Sequence, residues 1–245
     1  MDLTDKIALV TGAGSGIGRA TAHGLAAVGA TVIVTDVNEP AGQETADQIG
    51  GTARFVPLDI SDREACRAVA ADVEAEFGHL DVLANVAGWD IIQPFVDVTD
   101  DFMDRVIEIN LKGPINITKA LIPALTASGS GRVVNVASDA GRVGSTGEAV
   151  YAGAKGGVIA FTKSLAREMV RNQIRVNCVC PGPTDTPLLA DQPEKMRQAL
   201  ERAIPMRRLA QPSEVADAIV FFASDRASFV TGQVLSVSGG LTMVD

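Results

Sequence analysis

Short apolar runs alternate with longer amphipathic stretches along the whole chain, and this alternation restricts the fold more than any other feature of the sequence. Seven runs have the composition of β-strands, and they cover residues 7–11, 31–36, 54–57, 82–85, 132–136, 175–180 and 234–237. Several are apolar at every position, which is typical of parallel strands covered on both faces. The pattern therefore predicts an α/β fold of the Rossmann type, with a doubly wound, parallel, seven-stranded sheet and right-handed crossovers.

The stretches between these strands have helical periodicity. They cover residues 17–28, 40–49, 62–77, 101–125, 150–170 and 213–223. Asp62 and Ser213 each stand at the start of such a stretch, and both residue types are favoured N-caps. No linker, repeat or low-complexity tract interrupts the pattern, so we expect one domain over residues 1–245.

One segment departs from the regular alternation. Residues 181–205 are rich in Pro, Thr and Asp and follow the sixth predicted strand. A long irregular segment at the carboxyl edge of a parallel sheet is typical of a lid that covers a ligand. We therefore predict a substrate lid at about residues 183–205; a surface excursion without a role is the alternative.

Charge and composition exclude several classes of function. The chain has 21 Lys and Arg against 30 Asp and Glu, a formal charge of −9, and no basic stripe. This balance argues against binding to nucleic acids or to anionic membranes. The 2 His residues, His23 and His79, are too few and too far apart for a His-rich metal site or a Ser-His-Asp triad, so we expect no metal.

Two further features indicate the compartment. The 3 Cys residues form no disulfide framework, and Cys178 and Cys180 share one face of a strand, where small core residues are expected. Residues 1–6 carry acids where a signal peptide carries bases, and no apolar run reaches about 18 residues. We therefore expect a cytoplasmic protein.

A glycine-rich turn joins the first strand to the first helix. Residues 11–18 read Thr-Gly-Ala-Gly-Ser-Gly-Ile-Gly. Glycines let the backbone approach a pyrophosphate, whose charge then faces the free N–H groups of the helix N-terminus. The position of this turn in a βαβ unit predicts a dinucleotide site.

An acidic residue refines the identity of the dinucleotide. Asp36 ends the second strand 18 residues after Gly18, where a carboxylate can bond the ribose hydroxyls of NAD and repel the 2′-phosphate of NADP. We therefore predict NAD as the cofactor; a strand-end Asp without a ligand is the alternative. Asp59, which follows the third strand, is a candidate contact for the adenine or a turn-forming residue.

The single tyrosine of the chain lies one helical turn before a lysine. Tyr151 and Lys155 share a helix face, and a nearby ammonium favours a phenolate over a phenol with its ordinary pKa of ~10. Such a tyrosine suits general acid–base work on an alcohol or a carbonyl. Ser138 adds a hydroxyl at the end of the fifth strand, and Asn110 is an amide in a helical stretch.

Together these residues resemble the short-chain dehydrogenase/reductase family over the whole chain. The resemblance rests on residues 11–18, the Asn-Val-Ala-Gly segment 85–88, Asn110, Ser138, Tyr151, Lys155 and the Pro-Gly pair 181–182. It implies that Tyr151 exchanges a proton with the substrate oxygen, that Ser138 holds this oxygen, and that Lys155 binds the nicotinamide ribose and lowers the pKa of the tyrosine. Asn110 would support a water molecule that links Lys155 to solvent.

The resemblance also implies which residues contact the cofactor: Gly12, Ser15, Gly16, Ile17, Gly18, Asp36, Asp59, Ile60, Asn85, Ala87, Gly88, Tyr151, Lys155, Pro181, Gly182, Thr184 and Thr186. The chain departs from the family at Val86, where the second Asn of an Asn-Asn-Ala-Gly motif is usual. The hydrogen bonds of that Asn are lost, which affects local rigidity rather than the chemistry.

Segments 88–91, 137–145, 147–151, 180–186 and 236–243 are similar to members of this family that oxidise, with NAD, the ring hydroxyl of an alicyclic β-hydroxyacyl-CoA. This similarity implies a pocket for a ring, formed by Trp89, Arg142, Val143, Glu148 and Leu188; Trp89 as a packed aromatic is the alternative. Rival functions are a reductase of linear 3-oxoacyl thioesters, which usually takes NADPH, a dehydrogenase of cyclic or aryl alcohols, and a non-catalytic dinucleotide sensor. The resemblance further implies a homotetramer.

Overall fold

Within residues 1–190 and 194–244, which the computed structural model describes, one parallel sheet of seven strands forms the centre of the molecule. The strands are β1 (Ile7–Thr11), β2 (Thr31–Asp36), β3 (Ala53–Pro57), β4 (Val82–Asn85), β5 (Arg132–Val136), β6 (Arg175–Pro181) and β7 (Val234–Val237). Their order is β3-β2-β1-β4-β5-β6-β7, and every neighbouring pair is parallel. The predicted single-domain, doubly wound α/β fold is confirmed.

Helices cover both faces of the sheet. They are α1 (Gly16–Ala27), α2 (Glu39–Ile49), α3 (Arg63–Phe77), α4 (Asp100–Ile107), α5 (Gly113–Ala127), α6 (Ala140–Val143), α7 (Ala149–Met169), α8 (Pro187–Ala190), α9 (Glu194–Ala203) and α10 (Pro212–Ala223). The core on one face contains residues of α1, α2 and α10, and the core on the other contains residues of α3, α5 and α7. The order reverses between β1 and β4, so the carboxyl edge there opens into a crevice.

One predicted helix cap is correct and the other is wrong. The Asp62 carboxylate accepts hydrogen bonds from the backbone N–H groups of Glu64 and Ala65, at 2.8 and 3.2 Å. Ser213, by contrast, lies inside α10, which begins at Pro212. Proline suits the first helical position because its missing N–H is not needed there. The Glu214 carboxylate accepts the backbone N–H of Gln211 at 2.7 Å and so closes the start of this helix.

The predicted helix over 101–125 is interrupted. Between α4 and α5 the residues Glu108–Lys112 form a π-helical turn. Asn110 lies in this turn, and its Nδ2 donates to the carbonyl oxygen of Val106 at 3.0 Å. An amide that binds the backbone competes with regular helical hydrogen bonds, and such π turns are frequent at functional sites.

The segment 181–205 is not irregular, contrary to the sequence-based expectation. Its described part contains α8 and α9, while residues 191–193 of the predicted lid lie outside the described residues. The sequence of α9, Glu-Lys-Met-Arg-Gln-Ala-Leu-Glu-Arg-Ala, consists of strong helix formers, and this local propensity outweighs the irregular composition of its flanks.

The predicted core position of the two cysteines in β6 is confirmed. Cys178 and Cys180 are fully buried as free thiols with their Sγ atoms 4.0 Å apart. None of the helices in residues 1–190 and 194–244 combines the length and the apolar character that crossing a bilayer requires.

Candidate active site

The glycine-rich turn packs directly against the loop after β4. Gly12 has a φ of +65°, and a Cβ atom there would lie 2.7 Å from the Cα of Ala87. A Cβ atom on Gly18 would overlap the carbonyl oxygen of Gly12. Side chains at these two positions would push the turn away from the sheet edge. Their absence gives a ligand close access to the backbone.

The start of α1 is open to an anion. Ser15 is the N-cap, and its side chain makes no capping hydrogen bond, although its carbonyl oxygen accepts the N–H of Arg19 at 3.0 Å. The N–H groups of Gly16, Ile17 and Gly18 belong to the first turn, where a helix supplies no internal acceptors. This arrangement fits the pyrophosphate of a nicotinamide dinucleotide.

Asp36 lies beside the same turn. Its Oδ2 accepts the N–H of Gly14 and its Oδ1 accepts the N–H of Asn38, both at 2.8 Å. Arg19 donates to the carbonyl oxygen of the same Gly14 and forms an ion pair with Glu44 at 2.8 Å. The charge of Arg19 is therefore partly compensated by Glu44, and the contact of Asp36 with a ribose stays a prediction.

Asp59 and Ile60 occupy the turn after β3. The exposed Asp59 accepts, through Oδ1, the N–H and the hydroxyl of Ser61 at 2.8 and 2.6 Å, so it forms the turn that the alternative interpretation predicted. Ile60 is buried, and its carbonyl oxygen accepts Nδ2 of Asn116 at 3.2 Å. Their contacts to an adenine remain predictions.

The amide group of Asn85 is only half paired within the protein. It is buried, and its Nδ2 donates to Oγ1 of Thr118 at 2.9 Å and to Oδ1 of Asn135 at 2.8 Å. Its Oδ1 has no hydrogen-bond partner among the described residues, and the predicted cofactor contact of Asn85 stays a prediction. Thr11, which the sequence analysis did not select, accepts the N–H groups of Val86 and Ala87 at 3.0 and 3.2 Å. Thr11 therefore holds this loop although the usual second Asn is absent.

Tyr151 and Lys155 lie together on α7, as predicted. Lys155 is 2% exposed, its Nζ lies 5.6 Å from the ring centre of Tyr151, and it donates to the carbonyl oxygen of Val136 at 3.0 Å. Burial lowers the pKa of Lys155 to about 8, because a buried ammonium loses its hydration.

The pKa of Tyr151 is raised rather than lowered, which corrects the expectation from the sequence. Burial is the largest cause, and the negative charges of Glu148 and Asp90 add to it. A hydrogen bond with Ser138 acts in the opposite direction and favours the phenolate. Ser138 therefore lies at the phenol as predicted, and its Oγ also accepts the N–H of Ala140 at 3.1 Å.

Asn110 is close to the same centre, but its side chain binds the backbone. Its Oδ1 accepts the N–H of Trp89 at 3.2 Å, and its Nδ2 donates to the Trp89 carbonyl oxygen at 2.6 Å. Gly88 lies between Asn110 and Lys155, since a Cβ atom on it would be 3.0 Å from Oδ1 of Asn110 and 3.3 Å from Nζ of Lys155. The π turn therefore fixes the loop next to Lys155. The water molecule that was expected at Asn110 stays a prediction.

The residues after β6 form a short bonded segment at the carboxyl end of the strand, and their contacts with the cofactor remain predictions. Gly182 donates its N–H to the carbonyl oxygen of Val237 at 3.0 Å, beside Pro181 at the end of the strand. Thr184 is buried, and its hydroxyl donates to the Gly182 carbonyl oxygen at 2.9 Å. A Cβ atom on Gly16 would lie 3.2 Å from Cγ2 of Thr186. The predicted lid therefore begins directly over the glycine-rich turn.

The five predicted substrate residues separate into two groups. Trp89 packs against Phe102, with ring centres 5.4 Å apart, and the Arg105 guanidinium lies 4.1 Å above its ring, as the packed-aromatic alternative implies. Arg142 donates to Oγ of Ser236 at 2.8 Å and to the Val244 carbonyl oxygen at 2.9 Å. The guanidinium of Arg142 therefore holds the C-terminal segment, and its expected contact with substrate stays a prediction.

The other three predicted substrate residues, Val143, Glu148 and Leu188, have exposed or half-buried side chains. Val143 and Leu188 are 57% and 45% exposed, and Ile91, which follows β4, is 51% exposed. Glu148 is half-buried and comes directly before α7. Their contacts with a substrate remain predictions.

Asp90 is a site residue to which the sequence analysis gave no role. It is 7% exposed, and its Oδ2 has no hydrogen-bond partner among the described residues. Burial, followed by the charge of Glu148, raises its pKa to about 6. Its position after Trp89 was the only sequence signal, because the burial arises from loops that are far apart in the chain.

Known proteins resemble this chain over nearly its full length. A family model described as enoyl-(acyl carrier protein) reductase matches residues 12–242. The chain is 40% identical to the 3-oxoacyl-[acyl-carrier-protein] reductase of Thermotoga maritima over 99% of this chain and 100% of that protein. It is 38% identical to the enzyme of the same name from Escherichia coli over 100% of both chains.

A third relative has a cyclic substrate in its name. The cis-4-hydroxycyclohexanecarboxylate dehydrogenase of Sinomonas cyclohexanicum is 43% identical over 98% of both chains. The family match, these relatives and the geometry of Ser138, Tyr151 and Lys155 support the same conclusion. The chain belongs to the short-chain dehydrogenase/reductase family and is an oxidoreductase that acts on a CH–OH group or the corresponding ketone with a nicotinamide cofactor.

Proposed function

We propose that the protein oxidises, with NAD, the ring hydroxyl of 2-hydroxycyclohexane-1-carboxyl-CoA to the 2-keto thioester. The observation that carries this proposal is the hydrogen bond between the Tyr151 phenol and Ser138, and we propose the half-exposed side chains of Ile91, Val143 and Leu188 as the apolar lining for the ring. An apolar lining favours a hydrocarbon ring over a polar sugar or a phosphate.

Proton transfer is assigned to Tyr151. As the phenolate it accepts the hydroxyl proton of the substrate, while Ser138 holds the substrate oxygen through its own hydroxyl. The Nζ of Lys155 is oriented by the carbonyl oxygen of Val136, and it carries a positive charge below its pKa of about 8. A bound oxidised nicotinamide would supply the hydride acceptor, and its positive charge would favour the phenolate of Tyr151.

The choice of NAD rests on Asp36. Its carboxylate stands beside the glycine-rich turn, and the neighbouring guanidinium of Arg19 is engaged by Glu44. A 2′-phosphate would meet the carboxylate without a free cation to balance its charge, whereas ribose hydroxyls would donate to it.

The ring substrate rests on two supports. The segments around Trp89 and Tyr151 resemble those of 2-hydroxycyclohexanecarboxyl-CoA dehydrogenase, and the relative from Sinomonas cyclohexanicum is named for a hydroxyl on a cyclohexane ring. Trp89 is the only Trp of the chain, and its ring packs against α4 by contacts with Phe102 and Arg105. The CoA phosphates need cations other than Arg142, and Lys195 on α9 is the candidate that we propose.

A second candidate is reduction of linear 3-oxoacyl thioesters. The two relatives with 38–40% identity carry that activity in their names. Asp36 argues against NADPH, the usual reductant of such enzymes.

An oxidation of cyclic or aryl alcohols without CoA would use the same Tyr151 chemistry. A dinucleotide sensor without catalysis is disfavoured, because Asn110, Ser138, Tyr151 and Lys155 are all present.

The decisive experiment measures the formation of the reduced cofactor, NADH or NADPH, at a fixed enzyme concentration. Its substrates are 2-hydroxycyclohexanecarboxyl-CoA, 3-hydroxybutyryl-CoA and cyclohexanol, each with NAD and then with NADP. We expect the highest kcat/KM for the ring thioester with NAD. A higher value for the linear thioester would identify the protein as a linear-chain enzyme, and a higher value for cyclohexanol would remove the CoA requirement.

We also propose that the chain works as a homotetramer in the cytoplasm with a small-molecule acyl-CoA substrate. The exposed side chains of Phe229, Val170 and Leu235 support contacts between copies of the chain. Light scattering after size exclusion at micromolar concentration tests the assembly. A mass near the 25.4 kDa of one chain would reject it.

A further inference from the structure

Two loops meet at the catalytic tyrosine and bring two carboxyl groups together. The N–H of Gln93 donates to the carbonyl oxygen of Gly147 at 3.0 Å, which joins the loop after β4 to the loop before α7. Gly147 has a φ of +81°, and a Cβ atom there would lie 2.8 Å from Cγ2 of Ile92. This close approach holds Asp90 and Glu148 at the site.

The two carboxyl groups have no cationic partner. Among the described residues, neither forms an ion pair, and Oδ2 of Asp90 accepts no hydrogen bond. Nearby cations are engaged elsewhere: Lys155 binds the Val136 carbonyl oxygen and Arg142 binds the C-terminal segment. A buried carboxylate without a partner is costly, and proteins retain such groups mainly at functional sites.

We propose that Asp90, together with Glu148, selects substrates whose acyl group is uncharged, such as a thioester, and rejects the corresponding free carboxylate. This inference rests on the proposed function, because it concerns the acyl group of that substrate. In a β-hydroxy acid the carboxyl carbon is two bonds from the carbinol carbon. A free carboxylate bound at Tyr151 would therefore add a third negative charge to a site with a low dielectric constant.

The same charges act on Tyr151 itself. Glu148 and Asp90 both disfavour the phenolate, which is an anion at the same place. An anionic substrate would meet the same repulsion as this phenolate, whereas a thioester would not. Because repulsion between like charges increases steeply in a buried site, we expect discrimination on the order of 10- to 100-fold.

The test compares kcat/KM for matched neutral and anionic substrates at pH 8. One pair is the N-acetylcysteamine thioester and the free acid of 2-hydroxycyclohexanecarboxylate, and the second pair is the thioester and the free acid of 3-hydroxybutyrate. The variants are Asp90→Asn and Glu148→Gln, with Asp72→Asn on the exposed side of α3 as the matched control. Circular dichroism checks the fold of each variant.

We expect the wild type to prefer the thioester in each pair. Asp90→Asn should lower the ratio of kcat/KM for the thioester to that for the free acid on the order of tenfold, because the change in the pKa of Tyr151 affects both substrates alike and cancels in the ratio. Glu148→Gln should act in the same direction, and Asp72→Asn should leave the preference unchanged. A wild-type preference for the free acid, or an unchanged ratio in both site variants, would overturn the inference.

Calorimetry provides a readout that does not depend on turnover. Cyclohexanecarboxamide and cyclohexanecarboxylate are titrated into the NADH-loaded protein. The ratio of the Kd of the carboxylate to the Kd of the amide should be larger in the wild type than in Asp90→Asn. Equal discrimination in both proteins would contradict the inference. If the protein prefers the thioester of the linear pair but does not turn over the ring pair, the proposed ring substrate is rejected and the inference about Asp90 stands. If the ring thioester is turned over but the ratio of thioester to free acid is the same in the wild type and in both site variants, the inference is rejected and the proposed function stands.

Discussion

Asn110 holds the backbone of Trp89 from both sides. Its Oδ1 accepts the Trp89 N–H at 3.2 Å, and its Nδ2 donates to the Trp89 carbonyl oxygen at 2.6 Å. Because Asn110 belongs to the π turn between α4 and α5, the loop after β4 is positioned by a helix irregularity that lies 21 residues further along the chain. This loop carries both Asp90 and Gly88, and a Cβ atom on Gly88 would lie 3.3 Å from Nζ of Lys155.

Substitution of Gly88 tests how tightly this loop fits. In Gly88→Ala the new methyl group would lie 3.0 Å from Oδ1 of Asn110 and 3.3 Å from Nζ of Lys155, so we expect kcat to fall on the order of 10-fold or more. The matched control is Gly153→Ala on α7, where no described atom lies within 4 Å of the new group. The control should keep its kcat, and equal losses in both variants would contradict the prediction.

Removal of the phenol hydroxyl separates chemistry from cofactor binding. Tyr151→Phe should reduce turnover below about 1% of wild type, since general acid–base catalysis is typically worth about 10²–10⁴-fold. The Kd for NADH should change less than about threefold, because the ring and its packing remain. Stopped-flow turnover and fluorescence titration measure the two quantities. Substantial turnover in the variant would assign the proton transfer to another group.

The pH dependence of oxidation follows from the raised pKa of Tyr151. Because the phenolate is the base, the rate of alcohol oxidation should increase as the pH rises from neutral to alkaline values. Glu148→Gln removes a charge that raises this pKa, so the increase should move to lower pH. Initial rates of NADH formation between pH 6 and pH 10 measure the shift. A shift to higher pH would show that Glu148 does not act on Tyr151 through its charge.

We expect the cofactor preference to depend on Asp36. Asp36→Ala removes the carboxylate that we propose binds the ribose, so the ratio of kcat/KM for NAD to that for NADP should fall on the order of 10-fold. Asp59→Ala is the control, because an adenine contact would affect both cofactors equally. Kinetics with each cofactor at a saturating alcohol concentration give the ratio. An equal change of the ratio in both variants would mean that Asp36 does not read the ribose.

Asp90 links catalysis to stability. Its pKa is about 6 in the folded protein and near 3.8 when exposed, so its stabilising contribution is complete below pH 4 and is lost as the pH rises through 6. Asp90→Asn should therefore be more stable than wild type by about 1–3 kcal/mol at pH 8, with no difference near pH 4. Urea unfolding at the two pH values measures this. A variant that is less stable at pH 8 would contradict the prediction.

Much of the fold followed from local patterns. The apolar runs predicted the strands because buried parallel strands have few polar positions, and Asp62 predicted a cap because its carboxylate acts within two or three residues. The glycine turn, Asp36 and the pair formed by Tyr151 and Lys155 were identified for the same reason, since each depends on residues that are close in sequence.

Other features depended on contacts between distant segments. The pKa of Tyr151 rises because burial and the charges of two carboxylates outweigh the hydrogen bond with Ser138, and the sequence contains no measure of burial. Arg142 was expected to face substrate, but it binds Val244, which lies 102 residues later. The lid segment was expected to be irregular, although its described part is largely helical.

The sequence by itself determined the order of strands and helices along the chain and the glycine-rich turn, and it predicted the residues that would carry the chemistry. These properties arise from periodicity and from residue types at short spacing, which act within one strand, turn or helix. The tertiary structure decided which charges remain without partners, and Asp90 is the clearest case. The desolvation of a carboxyl group depends on every segment that packs around it, and here those segments are about 60 residues apart in the chain.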